Sequence, residues 1–111
     1  MLMASINGHI GMPASSVYAA TKAAMRSLAR TLSGELISRG IRANAISPGP
    51  IATPLYNNMS KEQLGGLVAQ IPARRQGHRR EVADAVVFLA SDESGFKVCS
   101  EITVDGGMST L

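Results

Sequence analysis

The sequence has no tryptophan and few aromatic residues of any kind: two Phe and two Tyr in 111 residues. Its core must therefore be aliphatic, drawn from Ala, Leu, Val, Ile and Met. The scarcity of stacking side chains also argues against a small RNA-binding domain. A single cysteine, Cys99, excludes an internal disulfide and a cysteine-based metal centre, and it suits a reducing compartment. No run approaches the roughly 18 apolar residues that a membrane-spanning helix needs. The opening Met1-Leu2-Met3-Ala4-Ser5 lacks the positive charge of a signal peptide. The expected address is cytoplasmic, with no membrane partner. Neither sign of charge dominates: 11 Lys and Arg stand against 8 Asp and Glu, a net +3. Only Arg74, Arg75, Arg79 and Arg80 cluster, and Glu81 and Asp84 follow them closely. So dispersed a basic charge predicts no nucleic-acid partner.

What is present is a chain of one-domain size, 45% apolar, patterned as alternating strands and helices. Residues 1–6 read as an apolar strand, and the Gly and Pro within residues 7–13 mark a loop. Ser15 or Ser16 can cap the helix that follows. Ala20, Ala24, Leu28, Leu32 and Leu36 recur every four residues, and Gly40 suits the left-handed end. Residues 41–47 form a second short strand, halted by Pro48-Gly49-Pro50. Ser60 and Gln63 have capping-box spacing, while Gly65-Gly66 predicts a short and mobile helix. Residues 80–91 form a firmer helix with Val82, Ala85, Val86 and Leu89 on one face. Glu101–Val104 is a last strand, closed by Asp105-Gly106-Gly107.

Strand, helix, strand, helix, strand is the order of a parallel α/β sheet with right-handed crossovers. Parallel strands are normally buried on both faces and paired on both sides. A chain that opens on one is expected to lack a preceding portion.

Tyr18 and Lys22 lie four apart at the start of the long helix, on one face. A phenol titrates near pH 10, and an ammonium group within about 5 Å favours its charged form. Taken alone, the pair reads most simply as a half-buried Tyr beside a snorkelling Lys. Ser5, thirteen residues before Tyr18, changes that reading. It sits at the carboxyl end of the first strand, where open parallel sheets bind ligands. A hydroxyl there can donate to a carbonyl oxygen as negative charge grows on it. Pro48-Gly49 follows the carboxyl end of the second strand, so the three sites converge on one rim.

Ser5 followed by Tyr18-Ala19-Ala20-Thr21-Lys22 resembles the active-site signature of the classical short-chain dehydrogenases/reductases. The stretch from Ile41 through Pro48-Gly49 is similar to the family's next strand and turn. Glu81-Val82-Ala83, Phe88-Leu89-Ala90-Ser91 and Val104-Asp105-Gly106-Gly107 resemble its last helix and closing strand. The resemblance implies hydride transfer between NAD or NADP and a small-molecule carbonyl or secondary alcohol. It implies Tyr18 as general acid or base, Lys22 as its modulator and ribose ligand, and Ser5 as the polarising hydroxyl. The nicotinamide end of the cofactor would meet Tyr18, Lys22, Pro48, Gly49, Ile51 and Thr53. His9, Met12, Leu55, Tyr56 and Met59 are candidates for the substrate pocket, each with a plain alternative as a solvated or packing residue. Cys99 stands where the family usually has Gly, and is expected to be a small apolar filler.

The family's Gly-rich turn, which presents a helix N-terminus to the pyrophosphate, has no counterpart here. Arg79 and Arg80 replace the Pro and acidic residue usual before the last helix, which leaves its capping open. Residues 1–111 are thus expected to be the carboxy-terminal catalytic half of a Rossmann-like doubly wound sheet. About three parallel strands with crossover helices should be present, and the amino-terminal dinucleotide-binding half absent. The family also implies a homo-oligomer formed through the long helix, whose second face offers Ala19 and Ala23. The competing reading is a truncated, catalytically incompetent fragment acting at most as an association module.

Overall fold

Small and aliphatic residues at four-residue spacing build the longest element, α1 (Ser16–Leu36), in the computed structural model, which describes residues 1–111. A 3-10 turn (Ile37–Arg39) extends it, and Gly40 at φ 72° ends it in the left-handed conformation expected of a glycine terminator. Its start departs from expectation. Ser15 holds the N-cap position, but its hydroxyl donates back to Met12 O at 2.7 Å and caps no helix amide.

Three parallel strands form one sheet in the order β1 (Leu2–Met3), β2 (Ala45–Pro48), β3 (Glu101–Val104). Leu2 pairs with Ala45, and residues 45–48 pair in register with 101–104. The first two strands are shorter than their apolar runs. β1 stops early because Ser5 turns the chain into a 3-10 turn, Ile6–Gly8, accepting from Asn7 N–H at 3.3 Å. Residues 41–44 precede the assigned strand, although Asn44 O accepts from Leu2 N–H at 2.9 Å and Ala43 O from Cys99 N–H at 3.2 Å. Ser33 donates to Ala43 O, and the Asn44 amide bonds Lys97 O and Ser100 N–H at 3.0 and 2.9 Å.

Two further helices complete the chain. α2 (Lys61–Ala69) has the reciprocal Ser60–Gln63 capping box, at 2.9 and 3.1 Å, and Gly65 and Gly66 sit inside it with open space around them. α3 (Arg79–Ala90) packs on β2 and β3. The replacement of Pro does not cost it a cap, because the Glu81 carboxylate accepts from His78 N–H at 2.6 Å. The core is aliphatic and small: Ala4, Ile6, Ala29, Ala45, Ile46 and Leu89 are among its members. Burying alanines brings backbones close, and it yields little apolar area per residue.

Candidate active site

The carboxyl ends of β1 and β2 open on a cavity of about 440 Å3. Local structure sets where Ser5, Tyr18 and Lys22 stand on its wall. Ser5 is buried, and it is the cap of the turn after β1. Tyr18 and Lys22 lie in the first two turns of α1, with the Lys22 Nζ 5.6 Å from the centre of the Tyr18 ring. Nζ also donates to Met3 O at 3.1 Å, which ties the helix to the last residue of β1. Half of the Tyr18 surface remains open.

Pro48-Gly49 forms the floor. A Cβ on Gly49 would lie 2.6 Å from Asp105 Cβ, so the residue must be glycine for β2 and the turn after β3 to approach. Gly49 N–H reaches Val104 O at 3.0 Å. Burial raises the Asp105 carboxyl, but bonds from Ser109 and from the Gly107 amide outweigh it and hold the group below the usual carboxylate range.

Beyond the floor, Ile51 bridges to Gly77, while Ala52 N–H bonds Gly77 O at 2.9 Å. The N–H and C=O of Ile51 itself make no hydrogen bond within the chain, and the residue lines the cavity. A free donor beside a free acceptor matches a carboxamide, so the nicotinamide end of a dinucleotide fits this wall. Thr53 then starts a 3-10 turn, Pro54–Tyr56, that brings Leu55 and Tyr56 to the opposite side. Burial raises the pKa of the Tyr56 phenol, and the nearby Tyr18 phenol adds to the effect. Met12 and Met59 complete the apolar wall.

Of the residues singled out from the sequence, His9 alone does not line the cavity. Its Nδ1 lies 3.9 Å from Glu101 Oε1 on β3. Burial raises the Glu101 carboxyl, but bonds from Ser47 and Arg26 keep it below its ordinary range. Leu67 of α2 and Met108 also line the cavity and were not legible in the sequence. The capping box at Ser60 was the only signal that an apolar helix face would return there.

A family model described as enoyl-(acyl carrier protein) reductase matches residues 1–109. Oxidoreductase asL5 of Sarocladium schorii is 43% identical, over 100% of this chain and 45% of its own length. The 3-oxoacyl-(acyl-carrier-protein) reductase FabG of Escherichia coli is 40% identical, over 94% of this chain and 43% of its own. The chain therefore spans less than half the length of these curated relatives. Among solved structures, a proposed gluconate dehydrogenase from Agrobacterium tumefaciens superposes with a TM-score of 0.93 at 29% identity, over 98% of this chain and 44% of that one. A short chain dehydrogenase/reductase family protein superposes at 0.87 with 40% identity, over the same shares. A family match across nearly the whole chain, joined to the Rossmann-like sheet, leads to one conclusion: the chain belongs to the short-chain dehydrogenase/reductase family of oxidoreductases.

Proposed function

We propose that this chain carries the catalytic, nicotinamide-side portion of an NAD(P)-dependent enzyme that interconverts a carbonyl and a secondary alcohol. One observation carries the proposal: Ser5, Tyr18, Lys22 and Ile51, whose backbone N–H and C=O are unpaired, line a single cavity. When bound, a nicotinamide dinucleotide supplies or accepts the hydride. The protein's own work is to place the substrate and move one proton.

In reduction, the Ser5 hydroxyl donates to the substrate oxygen while the Tyr18 phenol delivers the proton to it. In oxidation, Tyr18 takes that proton back. The Lys22 ammonium stabilises the charge left on the phenol oxygen and offers a donor to the nicotinamide ribose. Ile51 and Thr53 would hold the carboxamide, and the Met12, Leu55 and Met59 side chains would meet the apolar remainder of the substrate. The reductase and dehydrogenase relatives support this reading.

The test joins this chain in frame to the amino-terminal half of a relative and follows oxidation of NADH and NADPH with a panel of ketones. Tyr18→Phe should lower turnover by at least about two orders of magnitude. Lys22→Ala should be comparably damaging and Ser5→Ala somewhat less so. A Tyr18→Phe enzyme that keeps more than about a tenth of the activity would remove the assigned role.

A further inference from the structure

Two successive turns of α1 each send a cation to the segment that carries Ser5. Lys22 Nζ donates to Met3 O at 3.1 Å, just before Ser5. Arg26, four residues on, donates through a terminal nitrogen to Gly8 O at 3.1 Å, just after it. The same guanidinium directs Nε at both carboxylate oxygens of Glu101, each at 2.8 Å. Glu101 begins β3, pairs beside Ala45 of β2, and takes a further hydrogen bond from Ser47. Arg26 therefore fastens together the helix, the Ser5 turn and the sheet. Between them Gly8 is seated hard on the helix: a Cβ there would lie 3.0 Å from Lys22 C and from Ala23 N. Both partners of the pair are largely shielded, with 24% and 22% of their side-chain surfaces exposed, so solvent and salt weaken their attraction less than at an open surface.

We propose that Arg26, paired with Glu101, is a positioning residue that fixes the Ser5 turn against the catalytic helix and so sets the spacing of Ser5 from Tyr18 and Lys22. The proposal rests on the reading of Ser5 and Tyr18 given above. A charge-assisted bond at each end of a short turn restricts it far more than its two or three internal bonds do. Gly8, His9 and Ile10 amides are protected only by bonds to Ser5 O and Ile6 O, at 2.9 to 3.0 Å. Without Arg26, Gly8 O loses its donor and the shielded Glu101 carboxylate loses both charge-assisted bonds, keeping only the Ser47 hydroxyl and His9 Nδ1 at 3.9 Å, so the turn is free to lift.

Amide exchange of the 111-residue chain, read by NMR, tests this directly. Arg26→Met and Glu101→Gln should each speed exchange at Gly8, His9 and Ile10 by about tenfold, with α3 unchanged within about twofold. Arg26→Lys, which keeps the charge but cannot reach both acceptors with a fixed fork, should recover part of the protection. The double variant should add little to either single one, because both remove the same fastening. In the fused enzyme, either single variant should cut kcat by about ten- to a hundredfold, with KM for the dinucleotide within about twofold. If Arg26→Met does not fold, the nearly isosteric Glu101→Gln carries the test. Exchange unchanged at the turn, or raised equally along α3, would overturn the proposal, as would a KM that rises with kcat preserved. A fully active Tyr18→Phe enzyme would sink the catalytic reading instead, and the exchange data would still judge the fastening.

Discussion

Cys99 shows how much a lone residue can carry. It was expected to be a packed filler, yet it is exposed, and its backbone adopts φ 57°. A side chain in that region costs roughly 1–2 kcal/mol, which glycine, the residue that the resemblance leads one to expect there, escapes. Glycine returns roughly 0.5–1 kcal/mol of that as unfolded-state entropy. Cys99→Gly should therefore stabilise the chain by about 0.5–1 kcal/mol, seen as a higher urea midpoint at constant slope. A lower midpoint would contradict the strain. The left-handed backbone was legible at this position only through the resemblance, since nothing local to Cys99 announces it. The place of His9 was not legible: Glu101, 3.9 Å from its ring, lies far along the chain, and single-sequence patterns report neighbours within a few residues. Ser5, Tyr18 and Lys22 line one cavity, and the family resemblance is what singled them out, since a Tyr and a Lys four apart are by themselves ordinary.

At the scale of elements, α3 is defined by side chains at its two ends. Arg42 closes the far end, donating to Leu89 O, Ser91 O, Lys97 O and Ser94 Oγ at 3.0 to 3.2 Å. Glu81 closes the near end. Its hydrogen bond from Arg75, then that from His78 N–H, lowers its carboxyl from 4.5 to about 2. A carboxyl depressed by folding contributes stability that is complete above its unfolded pKa and is lost as pH falls through its folded one. Glu81→Gln keeps the capping geometry but removes the titration. The parent chain should therefore lose urea resistance more steeply than this variant between about pH 4.5 and about 2. Parallel profiles would show that the pair does not report on folding. The helices were the legible elements, because a period near four is set by the backbone itself. The bounds of β1 and β2 were not, because the apolar runs continue past the points where the paired ladder begins and ends. α2 is short, as its Gly65-Gly66 pair predicts, and the capping box at Ser60 fixes where it starts.

Taken whole, the molecule is thin for its length. Its radius of gyration is 15.1 Å and its extents are 50 × 28 × 26 Å, where a compact domain of this length would have a radius of about 13 Å. Only 14 of its 111 residues are buried, while Val17, Val87 and Phe96 lie open to solvent. β1 and β3 are each paired on one side only. No helix is long and apolar enough to cross a membrane, so these surfaces do not belong to a helical span. Apolar faces beside unpaired strand edges favour association with further chain. Sedimentation at micromolar concentration should show dimers or larger species, and a stable monomer throughout that range would refute this. If the cavity takes only the nicotinamide end of a dinucleotide, as proposed, titration with NADH or NADPH should not saturate below about 100 μM.

The placement of the two tyrosines has an optical consequence. With no tryptophan in the chain, near-ultraviolet emission comes almost entirely from Tyr18 and Tyr56, and both line the cavity. The chain thus carries both of its strong emitters at the site. A molecule that enters changes the surroundings of both phenols at once, against a dark background. Tyr18→Phe and Tyr56→Phe each leave one emitter, so quenching in the two variants separates the helix side of the cavity from its loop side without any added label.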